Sequence, residues 1–160
     1  MKPKYQALIF LTCLLLLSTI AAKAQSAPNN FIAKHVYIEN KIALAGYDAV
    51  AYFTQKKAVK GTSKFSSSIA GVIYHFSSEA NKVLFIKNPS AYLPQYGGWC
   101  AYAMGDKGEK VEIDPETFKI INGKLYLFYN AYFNNTLKSW NKDEPNLKAK
   151  ADANWLKINN

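Results

Sequence analysis

Between Thr117 and Tyr129 the chain reads Thr-Phe-Lys-Ile-Ile, then Asn122-Gly123, then Lys-Leu-Tyr-Leu-Phe-Tyr. A two-residue reversal between strands needs positive φ at both central positions, which asparagine and glycine adopt at least cost, so Thr117–Ile121 and Lys124–Tyr129 are predicted to pair as an antiparallel hairpin. Because side chains alternate along a strand, the turn also sets which residues share a face. Lys64–Ile69 and Val72–Phe76 flank Ala70-Gly71 in the same way, and Val36–Ile38 and Ile42–Leu44 flank Glu39-Asn40-Lys41. In the second hairpin Val72, Tyr74 and Phe76 fall on one face, and Ile73, His75 and Ser77 on the other.

Helical signals lie between the hairpins. Asp48 can cap a short turn over Ala49–Phe53. Ser77 or Ser78 followed by Glu79 starts a helix with Ala80, Val83, Leu84 and the stem of Lys87 on one stripe, which Asn88-Pro89 ends. Trp99–Met104, after Gly97-Gly98 and before Gly105, is expected to form one to two helical turns. Asn130 is expected to cap a closing helix through Trp140. Pro145 separates it from a last amphipathic stretch in which Leu147, Ala151 and Trp155 are spaced by four. The pattern predicts an α+β fold, a small single domain of short antiparallel β-hairpins packed with helices.

The first residues have the layout of a secretory signal: Lys2 and Lys4, the uncharged apolar run Ala7–Ile20, and the small-residue site Ala22-Lys23-Ala24. The run is 14 residues, where a membrane-crossing helix needs about 20. Cleavage is expected after Ala24, leaving a flexible lead-in over 25–30, a domain over 31–160, no membrane span and a periplasmic or secreted location. Cys13 leaves with the signal. The remainder has 17 lysines against 11 acidic residues, a formal charge of +6, and no arginine. Scattered lysines without the residue that reads guanine and phosphate bidentately give nucleic-acid binding little support.

One cysteine, Cys100, remains in a compartment that favours disulfides. It can be a buried core residue, a metal ligand, a reactive thiol or half of an intermolecular bridge. Met104 lies four residues on, so on a helix both sulfurs would project from one face and could hold a soft ion such as Cu(I); both residue types also fill cores readily. His75 reads as a hydrogen-bonded core or rim residue, or as a ligand or base. With two histidines and one cysteine, a tetrahedral zinc site would need carboxyl groups such as Asp48. No G-x-S-x-G, H-E-x-x-H, phosphate-binding glycine loop or dinucleotide fingerprint occurs.

Five ordered blocks resemble the exported bacterial proteins called YHS domain-containing: Gly46-Tyr-Asp-Ala-Val-Ala-Tyr-Phe53, Tyr74-His-Phe-Ser-Ser-Glu79, Asn88-Pro-Ser-Ala-Tyr92, Tyr96-Gly-Gly-Trp-Cys-Ala-Tyr-Ala103 and Ala149-Lys-Ala-Asp-Ala-Asn-Trp155. The resemblance implies a small hairpin-and-helix module related to treble-clef metal-binding folds, with metal binding as the usual inference. The places where other members carry metal-site cysteines hold Ala51 and Ser77 here, and Ala49 replaces the usual proline. The resulting expectation is a metal-binding or metal-handling module, taking copper or zinc through Cys100, with Met104 or His75 as second ligand and Asp48 as oxygen ligand or helix cap. The alternatives are a thiol enzyme or redox protein using Cys100 with His75 as base, and a non-catalytic interaction domain with a buried cysteine.

Overall fold

The structure is a computed structural model and describes residues 33–159. The expected signal segment and lead-in lie outside the described residues. After a short turn at Ala33–His35, β1 (Ile38–Glu39) and β2 (Ile42–Ala43) form the first hairpin, with positive φ at Asn40 and Lys41. A short helix α1 (Ala51–Thr54) precedes β3 (Thr62–Ile69) and β4 (Val72–Phe76), which turn at Ala70 and Gly71, also both at positive φ. The four strands make one sheet in the order β1-β2-β4-β3, in which β2 runs parallel to β4 through Ile42 and Ile73.

Helix α2 (Glu79–Lys87) follows β4 at once. Ser78 is its N-cap, its side chain accepting the Asn81 N–H at 3.1 Å, as the Ser-Glu signal requires. The face of α2 that packs inward differs from the expected stripe. Asn81 and Phe85 are buried, whereas Val83, Leu84 and Ile86 are exposed. The reason is a polar anchor: Asn81 Nδ2 donates to Asp48 Oδ2 at 2.7 Å, which turns that side of the helix inward and brings Phe85 against Tyr74 and Phe76.

The second half begins with α3 (Ala101–Asp106), then β5 (Asp114–Ile121) and β6 (Lys124–Phe128), which close at Asn122 and Gly123 with φ of 49° and 72°. On its other edge β6 meets the 94–100 segment through parallel bridges Pro94 to Leu125 and Cys100 to Leu127. Strand β6 is buried on both faces. Leu125 and Leu127 join Leu44, Tyr52, Tyr74 and Phe76 in one core, while Tyr126 and Phe128 join Met104, Trp140 and Ala151 in another. Period-two alternation thus places one strand between two cores.

Asn130 does not cap the closing helix. It lies in β7 (Asn130–Ala131), paired with β8 (Asn134–Asn135) around Tyr132 and Phe133, which take positive φ and project into solvent. Five residues further on, the Asn135 side chain accepts the Leu137 N–H and caps α4 (Thr136–Trp140). The last helix, α5 (Glu144–Asn159), carries Pro145 in its first turn, where a missing N–H costs nothing. Leu147 and Ala151 are buried and Trp155 half-buried, as their spacing implies. Gly105 allows the close approach of α3 to α5, because a Cβ there would collide with the Leu147 carbonyl oxygen. Among the described residues no helix is long and apolar enough to cross a membrane.

Asp48 ties the first half together. Its Oδ1 accepts the N–H groups of Val50 at 2.9 Å and Ala51 at 3.3 Å; its Oδ2 accepts the Ser77 N–H at 2.8 Å, the Ser77 hydroxyl at 2.6 Å and the Asn81 amide. The residue is wholly buried. Removing it would strand several buried donors at about 1–3 kcal/mol each. Asp48→Ala is expected to destabilise the fold by about 3–4 kcal/mol, read from the urea midpoint at unchanged slope. Asp48→Asn keeps the shape but sets an NH2 against donors on either side, so it should lose most of the same stability; full retention would show that shape alone matters.

Candidate functional site

Cys100 is the N-cap residue of α3, and its carbonyl oxygen accepts the Met104 N–H. Its backbone N–H donates to Val111 O at 3.0 Å, and its bridge to Leu127 fixes it beside β6. The side chain points into the first core and has no exposed surface. Two groups meet its sulfur: the Tyr129 N–H donates to Sγ at 3.3 Å, and the Thr136 Oγ1 lies 3.5 Å away. Thr136 donates to the Tyr129 carbonyl at 2.8 Å, so thiol, hydroxyl and the Tyr129 peptide form one small buried network. The thiol is unpaired.

The other candidate ligands occupy separate surroundings. Met104 is wholly buried in the second core with Trp140 and Phe128, whereas Cys100 belongs to the first. The α3 helix begins at Ala101, one residue after the thiol. Asp48 is engaged on both oxygens by the five donors described above. His75 is half-buried at the rim of a polar hollow lined also by Glu39, Lys60, Gly46 and Gly61, where Lys60 Nζ donates to Ala45 O at 2.8 Å. Among the described residues no three His, Cys, Asp or Glu side chains are grouped so as to hold a metal ion. The donor set expected from sequence is therefore not assembled in this structure, and Cys100 and His75 form no hydrogen-bonded pair.

Sequence reasoning missed a cluster around His35. The Trp99 indole N–H donates to His35 O at 2.7 Å, Trp155 stands edge-on to the His35 ring at 6.1 Å, and Lys110 Nζ lies 2.7 Å from His35 Nδ1. Gly97 permits this closure, since a Cβ there would come within 2.5 Å of His35 O. Burial, then the charges of Lys110 and Lys34, hold the His35 pKa below its ordinary value, while His35 Nε2 has no partner. Tyr74 was missed as a polar group as well: its strand position marks it as core, yet its hydroxyl is buried without a hydrogen bond. No sequence pattern distinguishes such a hydroxyl from one that is satisfied.

The YHS domain family model matches residues 50–96. The chain contains a YHS domain. The YHS segment runs from α1 through the β3-β4 hairpin and α2 to Tyr96, so it holds His75 and all three elements that donate to Asp48, while Asp48, Cys100 and Met104 lie outside it. No curated protein and no solved structure matches the chain.

Two outcomes follow from this geometry. Iodoacetamide should label Cys100 slowly in the native protein and at the rate of a free thiol in denaturing urea, because the sulfur is reached only through opening; equal rates would contradict its burial. The lowered His35 pKa means that the unfolded chain binds more protons below about pH 6.5. The His35 contribution to stability is complete above that value and is lost as pH falls through it toward the folded pKa. Urea unfolding of wild type and His35→Gln between about pH 7.5 and 5 should show a shallower pH slope in the variant.

Proposed function

We propose that the chain is an exported, non-catalytic YHS-domain binding module in which Cys100 is a core residue. The observation that supports this most directly is the surroundings of the sulfur: no exposed surface, an N–H from Tyr129 and a hydroxyl from Thr136. Export is read from Lys2, Lys4, the Ala7–Ile20 run and the Ala22-Lys23-Ala24 site. Burial reconciles the two halves of the reading. A lone thiol in an oxidising compartment stays free of bridges when no other thiol can reach it.

A second reading, metal handling through Cys100, is favoured by the Tyr129 N–H that donates to the sulfur and by the YHS match. Hydrogen bonds to sulfur stabilise the thiolate that copper or zinc requires. It would need Met104, His75 or Asp48 to leave the positions described above. Titration of Cu(I) and Zn(II) into the reduced protein, wild type beside Cys100→Ser, separates the readings. The core-residue reading expects no stoichiometric binding that depends on Cys100. About one equivalent bound by wild type and none by the variant would overturn it in favour of metal handling.

A further inference from the structure

A cleft of about 290 Å³ lies between the Leu93–Gly97 segment and the C-terminal half of α5. Tyr74, Leu93, Tyr96, Asp152, Trp155 and Leu156 are among its walls. It is near the lower end of the size of small-molecule sites, roughly 300–1,000 Å³. Half of the named wall belongs to the YHS segment and half to the helix that follows it, so the cleft exists only when the two halves of the chain are packed.

Two features of the cleft are unfavourable for folding alone. Tyr74 is 1% exposed and its hydroxyl has no partner; leaving a buried hydroxyl unpaired costs about 1–3 kcal/mol, which phenylalanine would avoid. Burial also pushes the Tyr74 pKa up, so the hydroxyl keeps its proton and can donate. In addition, Tyr96 is held at φ 54°, ψ 35°, a left-handed conformation that costs a bulky residue energy. That conformation places the Tyr96 hydroxyl 2.9 Å from Asp152 Oδ1.

The charges of the wall are already balanced. Asp152 accepts from Tyr96 on one oxygen and from Lys148 Nζ at 2.7 Å on the other. An ion entering the cleft would lose water without gaining a free counter-charge. The remaining wall combines Leu93, Trp155 and Leu156 with the polar Ser90 and Gln95, and Tyr74 adds a buried donor that has no partner.

We propose that this cleft binds a small, uncharged, planar ring compound carrying a carbonyl oxygen, which accepts a hydrogen bond from the Tyr74 hydroxyl while the ring lies among Leu93, Trp155 and Leu156. The hydroxyl is closed off from solvent, so the ligand reaches it by a rotamer change of a half-buried neighbour such as Leu93, a common adjustment on binding. The inference rests on the reading of the chain as a binding module. Its test reads Tyr74 and the cleft, whereas the metal titration reads Cys100, so either can fail alone.

The probe is coumarin, a flat neutral bicycle with a carbonyl, compared with naphthalene, which has the ring surface without the acceptor. Each is titrated into the 15N-labelled protein, wild type and Tyr74→Phe. Coumarin is expected to shift the amide signals of Tyr74, Tyr96 and Gly97 and the Trp155 indole signal saturably, and to bind about tenfold more weakly to Tyr74→Phe. The variant should be as stable as wild type or more so, because it lacks the unpaired hydroxyl. Naphthalene should bind both proteins alike. Absence of saturable coumarin shifts at these residues, or equal coumarin affinity for both proteins, would overturn the proposal.

Discussion

The fold of the first half depends on a side chain of three heavy atoms beyond its Cβ. Asp48 sits where the 44–48 segment, the first turn of α1, the end of β4 and the start of α2 converge, and its two oxygens accept from all but the first of them. No apolar residue could do this, because the groups that meet there are backbone N–H groups at the ends of elements, which cannot be left dry without a partner. The same contact decides helix orientation. By holding Asn81 inward, Asp48 leaves Val83 and Leu84 in solvent despite their apolar character.

The second half depends on a different constraint, the double burial of β6. A strand whose two faces both carry large apolar side chains must be covered twice. The first core covers Leu125 and Leu127, and α3, α4 and α5 cover Tyr126 and Phe128. Cys100 and Met104 are drawn apart by this arrangement. The 94–100 segment bridges the free edge of β6 at Pro94 and Cys100 with a tight turn between them, which aims Cys100 into the first core, and α3 then starts and delivers Met104 to the second. The buried thiol and the cleft beside Tyr96 are both products of this edge.

The hairpins were legible in the sequence because their determinants are local. Ala70-Gly71 and Asn122-Gly123 supply positive φ where a two-residue turn demands it, and the arms obey the alternation that burial later uses. The N-cap role of Ser78 and the capping role of Asp48 were legible for the same reason, since each acts within a few residues. Asn130 shows the limit. Its residue type suits a cap, but the β7-β8 pairing takes Asn130 into a strand and leaves Asn135 immediately before α4, where its side chain accepts the Leu137 N–H.

By itself the sequence determined the α+β class, the tight turns, the helix starts and the residue types available for chemistry, because each of these follows from backbone preferences and spacing over a few positions. The tertiary structure alone decided which of those residue types meet. It separated Cys100 from His75 and Met104, spent both oxygens of Asp48 on backbone and amide donors, and enclosed the Tyr74 hydroxyl without a partner. The physical reason is that proximity between residues tens of positions apart is set by the packing of whole faces, which no local pattern encodes.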